Sequence, residues 1–363
     1  MSTEADIGES LNRIEKLANI SRRQTDAAAS WLSSLSLSPR SFRDVAQLPC
    51  SILPPARTAR FFDRDDIIEN IEKHFENRTS DTLRSLALYG MGGVGKSHVA
   101  LKYIERKQSN KEIDAIFWVQ ADNHVAIQQS FSEIALRLKL TDARADSHNE
   151  NRLIVKAWLQ QTGALAVFPT RDRLSNLGHP LACEWLIVFD NVDEFGLLRD
   201  YWPLPGSRGR ALITTRNHTL AFDPAEGGLE VAPWDTETGS QFLLHLLSGH
   251  ISAELLAVEA KSAYGLSERL SGHALALNNM CGLIHRRSWT ISELLKVYDS
   301  SKDFKDGLGA VWQLSFQNLR PDSAALLAAF CFCAPDSIPQ ALFEVEDAEN
   351  LPDNLLWYLD EAR

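Results

Sequence analysis

Eight residues constrain this chain more than any others. Gly90-Met-Gly-Gly-Val-Gly-Lys96-Ser97 satisfies the spacing G-x-x-x-x-G-K-[ST] in full, between the apolar run Leu86-Ala-Leu-Tyr89 and the helical pattern His98-Val-Ala-Leu-Lys-Tyr-Ile104. The four glycines carry no Cβ, so the backbone can curl round an anion with its N–H groups turned inward. The helix that follows presents unpaired N–H donors and partial positive charge at the same point. A strand, a glycine-rich loop, a Lys-Ser pair and a helix in that order predict a phosphate cradle built from Gly90, Met91, Gly92, Gly93, Val94, Gly95, Lys96, Ser97 and His98. Lys96 is expected to reach the β- and γ-phosphates of a nucleotide. The Ser97 hydroxyl is expected to ligate Mg²⁺, which prefers hard oxygen donors and keeps several waters.

The rhythm continues beyond that helix. Ala115-Ile-Phe-Trp-Val119 reads as a buried strand, and Ile127, Phe131, Ile134 and Leu138 mark the apolar stripe of the next helix. Trp185-Leu-Ile-Val-Phe189 is a second apolar strand, ending in Asp190-Asn-Val-Asp193-Glu194. A carboxylate at the carboxyl end of a buried parallel strand lies on the edge where ligands of such sheets bind, which makes Asp190 a candidate catalytic and Mg²⁺-binding residue. Ala211-Leu-Ile-Thr214-Thr215-Arg216 is a further strand ending in two hydroxyls and a guanidinium, and Arg216 is expected to sense a γ-phosphate through paired hydrogen bonds. Beyond Pro233 the alternation stops and helical patterns follow. The fold class expected is α/β: a parallel sheet flanked by helices, followed by a helical domain and a partial winged-helix part.

Composition narrows the function classes. Apolar residues make up 44% of the 363, ample for real cores. A net charge of -11 argues against nucleic acid as a partner, because phosphate neutralisation needs clustered Lys and Arg. Cys50, Cys183, Cys281, Cys331 and Cys333 are odd in number and lack the paired spacing of a zinc site, so free thiols in a reducing compartment are expected. Neither a basic leader nor an 18-residue apolar run occurs, which points to a cytoplasmic or nuclear protein without membrane contact.

With these motifs in order, the chain resembles the NB-ARC nucleotide-binding domains of STAND-class signalling NTPases, over roughly residues 58 to 350. The resemblance rests on Gly90 to Ser97, Phe117-Trp-Val-Gln-Ala121, Leu186 to Asp193, Gly209 to Arg216, Gly272-His-Ala-Leu-Ala-Leu277 and Val311 to Phe316. It implies a P-loop switch in which ADP is held and exchange for ATP lets the molecule open and associate with itself or with protein partners. It also implies domains at 1–57 (helical segment and linker), 58–232 (nucleotide-binding), 233–305 (helical) and 306–363 (partial winged helix), with the chain stopping before the family's distal repeats.

Three departures bear on chemistry. The family's Gly-Arg pair is Asp63-Arg64 here, which leaves Arg64 as a nucleotide contact on an altered turn. Its adenine-packing Gly-Leu-Pro-Leu motif is Gly272-His273-Ala274-Leu275, which puts Ala274 in the place of the proline. The acid that often follows the Mg²⁺ acid is Asn191, and an amide cannot accept a proton as a general base does. Hydrolysis is therefore expected to be slow unless Asp193 or Glu194 substitutes, and Asp193 is the second catalytic candidate. A fast P-loop ATPase or phosphotransferase is the competing function class. The stretch from Gly163 to Glu184 has no sustained period and contains Pro169, Gly178 and Pro180. It reads either as a retained intron translated in frame or as a surface insertion, which loop-closure entropy tolerates.

Overall fold

A computed structural model describes residues 48–54, 61–76, 82–162, 183–249, 252–300, 319 and 321–330. The N-terminal amphipathic segment, residues 163–182 of the expected insertion and the stretch read as a winged helix, Val311 to Phe316, lie outside the described residues. Two compact units divide between Ala232 and Pro233.

The first unit is organised on six parallel strands: β1 (Cys50–Ile52), β2 (Arg84–Tyr89), β3 (Ala115–Gln120), β4 (Trp185–Asp190), β5 (Arg210–Thr215) and β6 (Gly228–Glu230). Their order across the sheet is β1-β3-β4-β5-β2-β6. The helices between them are α1 (Asp65–Glu76), α2 (Lys96–Ser109), α3 (His124–Arg137), α4 (His148–Thr162) and the short α5 (Phe195–Leu198). The central strands are apolar through their middles because both faces of the sheet are covered. Alternation along each strand decides which layer a side chain meets. Leu86, Leu88, Leu186, Val188 and Leu212 face α1 and α2, where Ile68, Ile71, Phe75, Val99 and Ile104 close the layer. Ala87, Phe117, Ile187, Phe189 and Ile213 face the opposite layer, with Phe131 and Ile134 of α3 and Trp158 of α4.

The two outer strands are departures from the expected boundaries. β1 lies inside the stretch read as linker, and β6 follows the last strand read from the sequence. Each has three residues, too few to register as a period beside the neighbouring prolines and glycines. Cys50, Cys183 and Cys281 are free thiols.

The second unit contains the helices α6 (Thr236–Leu247), α7 (Ala253–Arg269), α8 (Ala274–Arg287), α9 (Ile291–Ser300) and α10 (Pro321–Phe330). Side chains cap their starts: Asp235 accepts from the Thr238 N–H at the head of α6, and Ser252 accepts from the Leu255 N–H at the head of α7. The buried Glu259 of α7 accepts from both the backbone N–H and the hydroxyl of Ser292, at 2.7 and 2.9 Å, which ties the first turn of α9 to α7. Among the described residues no helix is long and apolar enough to cross a membrane.

Close packing at the amino end of the sheet gives the first prediction. A Cβ added at Gly209 would fall 2.2–2.5 Å from ring atoms of the fully buried Trp185, whereas one added at Gly196 meets nothing within 4 Å. Gly209→Ala is expected to destabilise the protein by about 1–3 kcal/mol through overpacking. Gly196→Ala should leave stability unchanged or slightly raised, and chemical denaturation of the two variants against the wild type checks the contrast.

Candidate functional site

The alternation that builds the core also builds the site. Asp190 shares a face with Leu186 and Val188, and Thr214 shares a face with Leu212, so both look toward the layer that holds α2. The register Phe189↔Ile213 sets Asp190 beside Thr214. The Asp190 carboxylate accepts from the Thr214 hydroxyl at 2.5 Å and from the Ser97 hydroxyl, in the first turn of α2, at 2.7 Å. Thr214 in turn accepts the Asn191 backbone N–H at 2.9 Å. Asp190 is only 9% exposed, so these donors are what make its burial tolerable.

Between β2 and α2 the chain forms the cradle. Gly95 caps α2 at φ 106°, a left-handed conformation that glycine adopts freely, and as a glycine it offers no side-chain cap to the helix. At Gly90 the requirement is space: a Cβ there would lie 2.4 Å from the Val231 carbonyl oxygen. Val94 is buried beneath the loop, while Met91, Gly92 and His98 are exposed on it. Lys96 folds back over the loop and donates to the carbonyls of Gly90 at 2.9 Å and Met91 at 2.8 Å. Burial lowers the Lys96 pKa, the nearby Arg216 guanidinium lowers it further, and Asp193 and Asp190 oppose both.

Arg64 stands just before α1 and donates to the Ala232 carbonyl at 2.7 Å, one residue past Val231, whose N–H bonds to the Tyr89 carbonyl at the entry of the cradle. Asp63 takes a φ of 39°, in the region that favours glycine, so the turn forms with an aspartate in it. Arg216 follows β5 and is 60% exposed along its side chain. It grips Asp193 with Nε, at 3.3 and 3.0 Å from the two carboxylate oxygens, and with Nη2 on Oδ2. Hydrogen bonding to Arg216 holds the Asp193 carboxyl below the usual carboxylate range, which makes it a weaker proton acceptor. Asn191 adopts a left-handed φ of 61° and is exposed. Ala274 begins α8 in the second unit, behind the cap made by His273.

The first unit therefore brings together the cradle, Lys96, Ser97, Asp190, Arg216 and Asp193. Thr214 is the functional residue that sequence reasoning left without a role. Its signal was a hydroxyl at the end of a strand adjacent to that of Asp190, but adjacency needs the strand order.

The donor set fits the groups the motif implies. Ser97 and Asp190 offer hard oxygens to a Mg²⁺ ion. No cluster of three or more His, Cys, Asp or Glu side chains able to hold a metal occurs among the described residues. The family model described as "NB-ARC domain" matches residues 64–231. Those residues form an NB-ARC domain. The NB-ARC match runs from Arg64, ahead of α1, to Val231, just past β6, so it takes in the whole cradle.

Among curated proteins the chain is similar to a nucleotide-binding leucine-rich repeat (NLR)-like protein of Hyaloscypha variabilis, with 24% identity over 335 residues, 80% of this chain and 31% of that protein. It is also similar to a protein of Solanum demissum named as a late blight resistance protein homolog, with 29% identity over 43% of this chain and 11% of that one. The chain thus spans less than a third of the length of these relatives. A similar solved structure is that of a signal transduction ATPase with numerous domains, carrying a tetratricopeptide repeat sensor, from Pyrococcus horikoshii: TM-score 0.43, 15% identity, 84% of this chain and 39% of that one.

If the Thr214 hydroxyl supports the buried Asp190 carboxylate, Thr214→Val should cost about 1–3 kcal/mol by leaving an acceptor and the Asn191 N–H underused. Thr214→Ser, which keeps the hydroxyl, should recover most of that loss in urea denaturation.

Proposed function

We propose that this protein is an ADP/ATP-binding regulatory switch of an NLR-like signalling protein, acting in the cytoplasm and hydrolysing ATP slowly or not at all. The observation that carries the reading is the cradle with Lys96 across its mouth and a buried carboxylate bonded to the Ser97 hydroxyl. Ser97 and Asp190 are the residues that would hold Mg²⁺, which when bound would supply positive charge to offset that of the phosphates. Gly90 to His98 enclose the phosphates, and Lys96 exchanges its two carbonyl partners for phosphate oxygens. Arg64 supports the chain at the entry of the cradle, Arg216 meets a terminal phosphate, and Ala274 takes the place in the sequence motif of the proline that the family packs against the base.

Slow turnover is supported by the two positions where a base is wanted. Asn191 is an amide, and the Asp193 carboxylate is engaged by Arg216. A nucleotide then acts by binding two conformations unequally rather than by being consumed, and the protein partners or self-association of a longer form would read out the difference.

Lys96→Ala is expected to abolish ADP and ATP binding in calorimetry, because it removes the full positive charge tethered to the loop. Unchanged affinity would overturn the assignment. Wild-type turnover is expected well below the median enzyme value of about 10 per second. Steady-state ATP hydrolysis near that rate would favour the fast ATPase or phosphotransferase.

A further inference from the structure

The pairing of Arg216 with Asp193 does more than satisfy two surface charges. The carboxylate takes hydrogen bonds from both Nε and Nη2 of Arg216 and, at 3.4 Å, from the Arg216 backbone N–H. The side chain bearing that guanidinium also runs against the phosphate loop, since a Cβ on Gly92 would lie 3.8 Å from the Arg216 Cδ. Asp193 is thus a negative charge held by a guanidinium whose side chain lies beside the phosphate loop. It occupies a planar fork that recognises phosphate oxygens as readily as carboxylate oxygens.

We propose that Asp193 is a built-in counter-ion that competes with the terminal phosphate of a nucleoside triphosphate for Arg216, and so biases the site toward the diphosphate. The proposal rests on the nucleotide-binding reading above and adds a specificity-determining residue to it. A diphosphate can occupy the loop and leave the ion pair intact. A triphosphate must either displace Asp193 from the guanidinium or accept its repulsion. The site is equipped for the exchange because the pair is open to solvent, with side chains 60% and 35% exposed, and such pairs hold weakly.

The test is a double-mutant cycle on the full chain, with affinities for ADP and for the β,γ-imido analogue of ATP measured by calorimetry with Mg²⁺ present. Asp193→Asn keeps the shape of the side chain and removes its charge. It is expected to raise affinity for the triphosphate analogue by about two- to fivefold, the range set by an exposed pair, with ADP affinity changed by less than about twofold. In an Arg216→Ala background the same substitution should leave the ratio unchanged. A ratio that stays constant or falls in Asp193→Asn would overturn the proposal. An equal gain for both nucleotides would also overturn it, since that marks general charge relief rather than competition at Arg216. Wild-type protein that binds neither nucleotide would overturn the underlying reading and this proposal together, whereas wild-type binding with an unmoved ratio removes the proposal alone.

Discussion

A buried carboxylate has to be hydrogen-bonded or it is costly to keep, and the Asp190 carboxylate and its two hydroxyl donors are delivered by the chain from three separate places. Ser97 comes from the helix after β2, Thr214 from the end of β5, and Asp190 from the end of β4 between β3 and β5. Because the strands are parallel, their carboxyl ends meet on one edge. Because side chains alternate, Asp190 and Thr214 turn to the same layer as α2. The site is thus a consequence of packing: the apolar residues that fix Leu186, Val188 and Leu212 against α1 and α2 also fix the direction of the acid and the hydroxyl that follow them.

Around that fixed point the loop is held by its backbone. Gly90 lies so close to the Val231 carbonyl that no side chain fits, and Gly95 supplies the left-handed turn that starts α2. Gly95, the residue that caps α2, has no side chain to bond the first N–H groups of the helix, the donors that a helix start offers to an anion. Lys96 lies across the same space on two backbone carbonyls. Replacing those neutral acceptors with phosphate oxygens restores full charge pairing to a lysine whose charged form is penalised by burial.

How much of this could be read from the sequence depends on how local each feature is. The cradle and the central strands β2 to β5 were legible, since a fixed glycine spacing and continuous apolar runs are properties of neighbouring residues. Strands β1 and β6 were not, because three residues beside proline or glycine carry no period. Asp190 could be singled out from its place at a strand end, but its bond to Thr214 depends on β4 and β5 being neighbours, which only the assembled sheet determines. Asp193 was legible as an acid and Arg216 as a strand-end cation. That each is the other's partner could not be seen across the intervening residues, and it changes the chemistry of both.

The two carboxylates divide the labour by the kind of donor each receives. Asp190 is buried and accepts from neutral hydroxyls, while Asp193 is part-exposed and accepts from a guanidinium. With the donors exchanged, a buried Asp190–Arg pair would be a unit whose rupture costs about 3–5 kcal/mol, since breaking it strands a charge in the interior. Held at the surface instead, the ion pair is worth roughly 0–1 kcal/mol and a phosphate can displace it. On the reading proposed above, the Ser97–Asp190 side of the site would be the rigid one and the Arg216–Asp193 side the adjustable one. A diphosphate engaging only the rigid side would then leave the ion pair undisturbed, whereas a triphosphate would have to reorganise it, which makes Arg216 the point from which a difference between the two bound states would start.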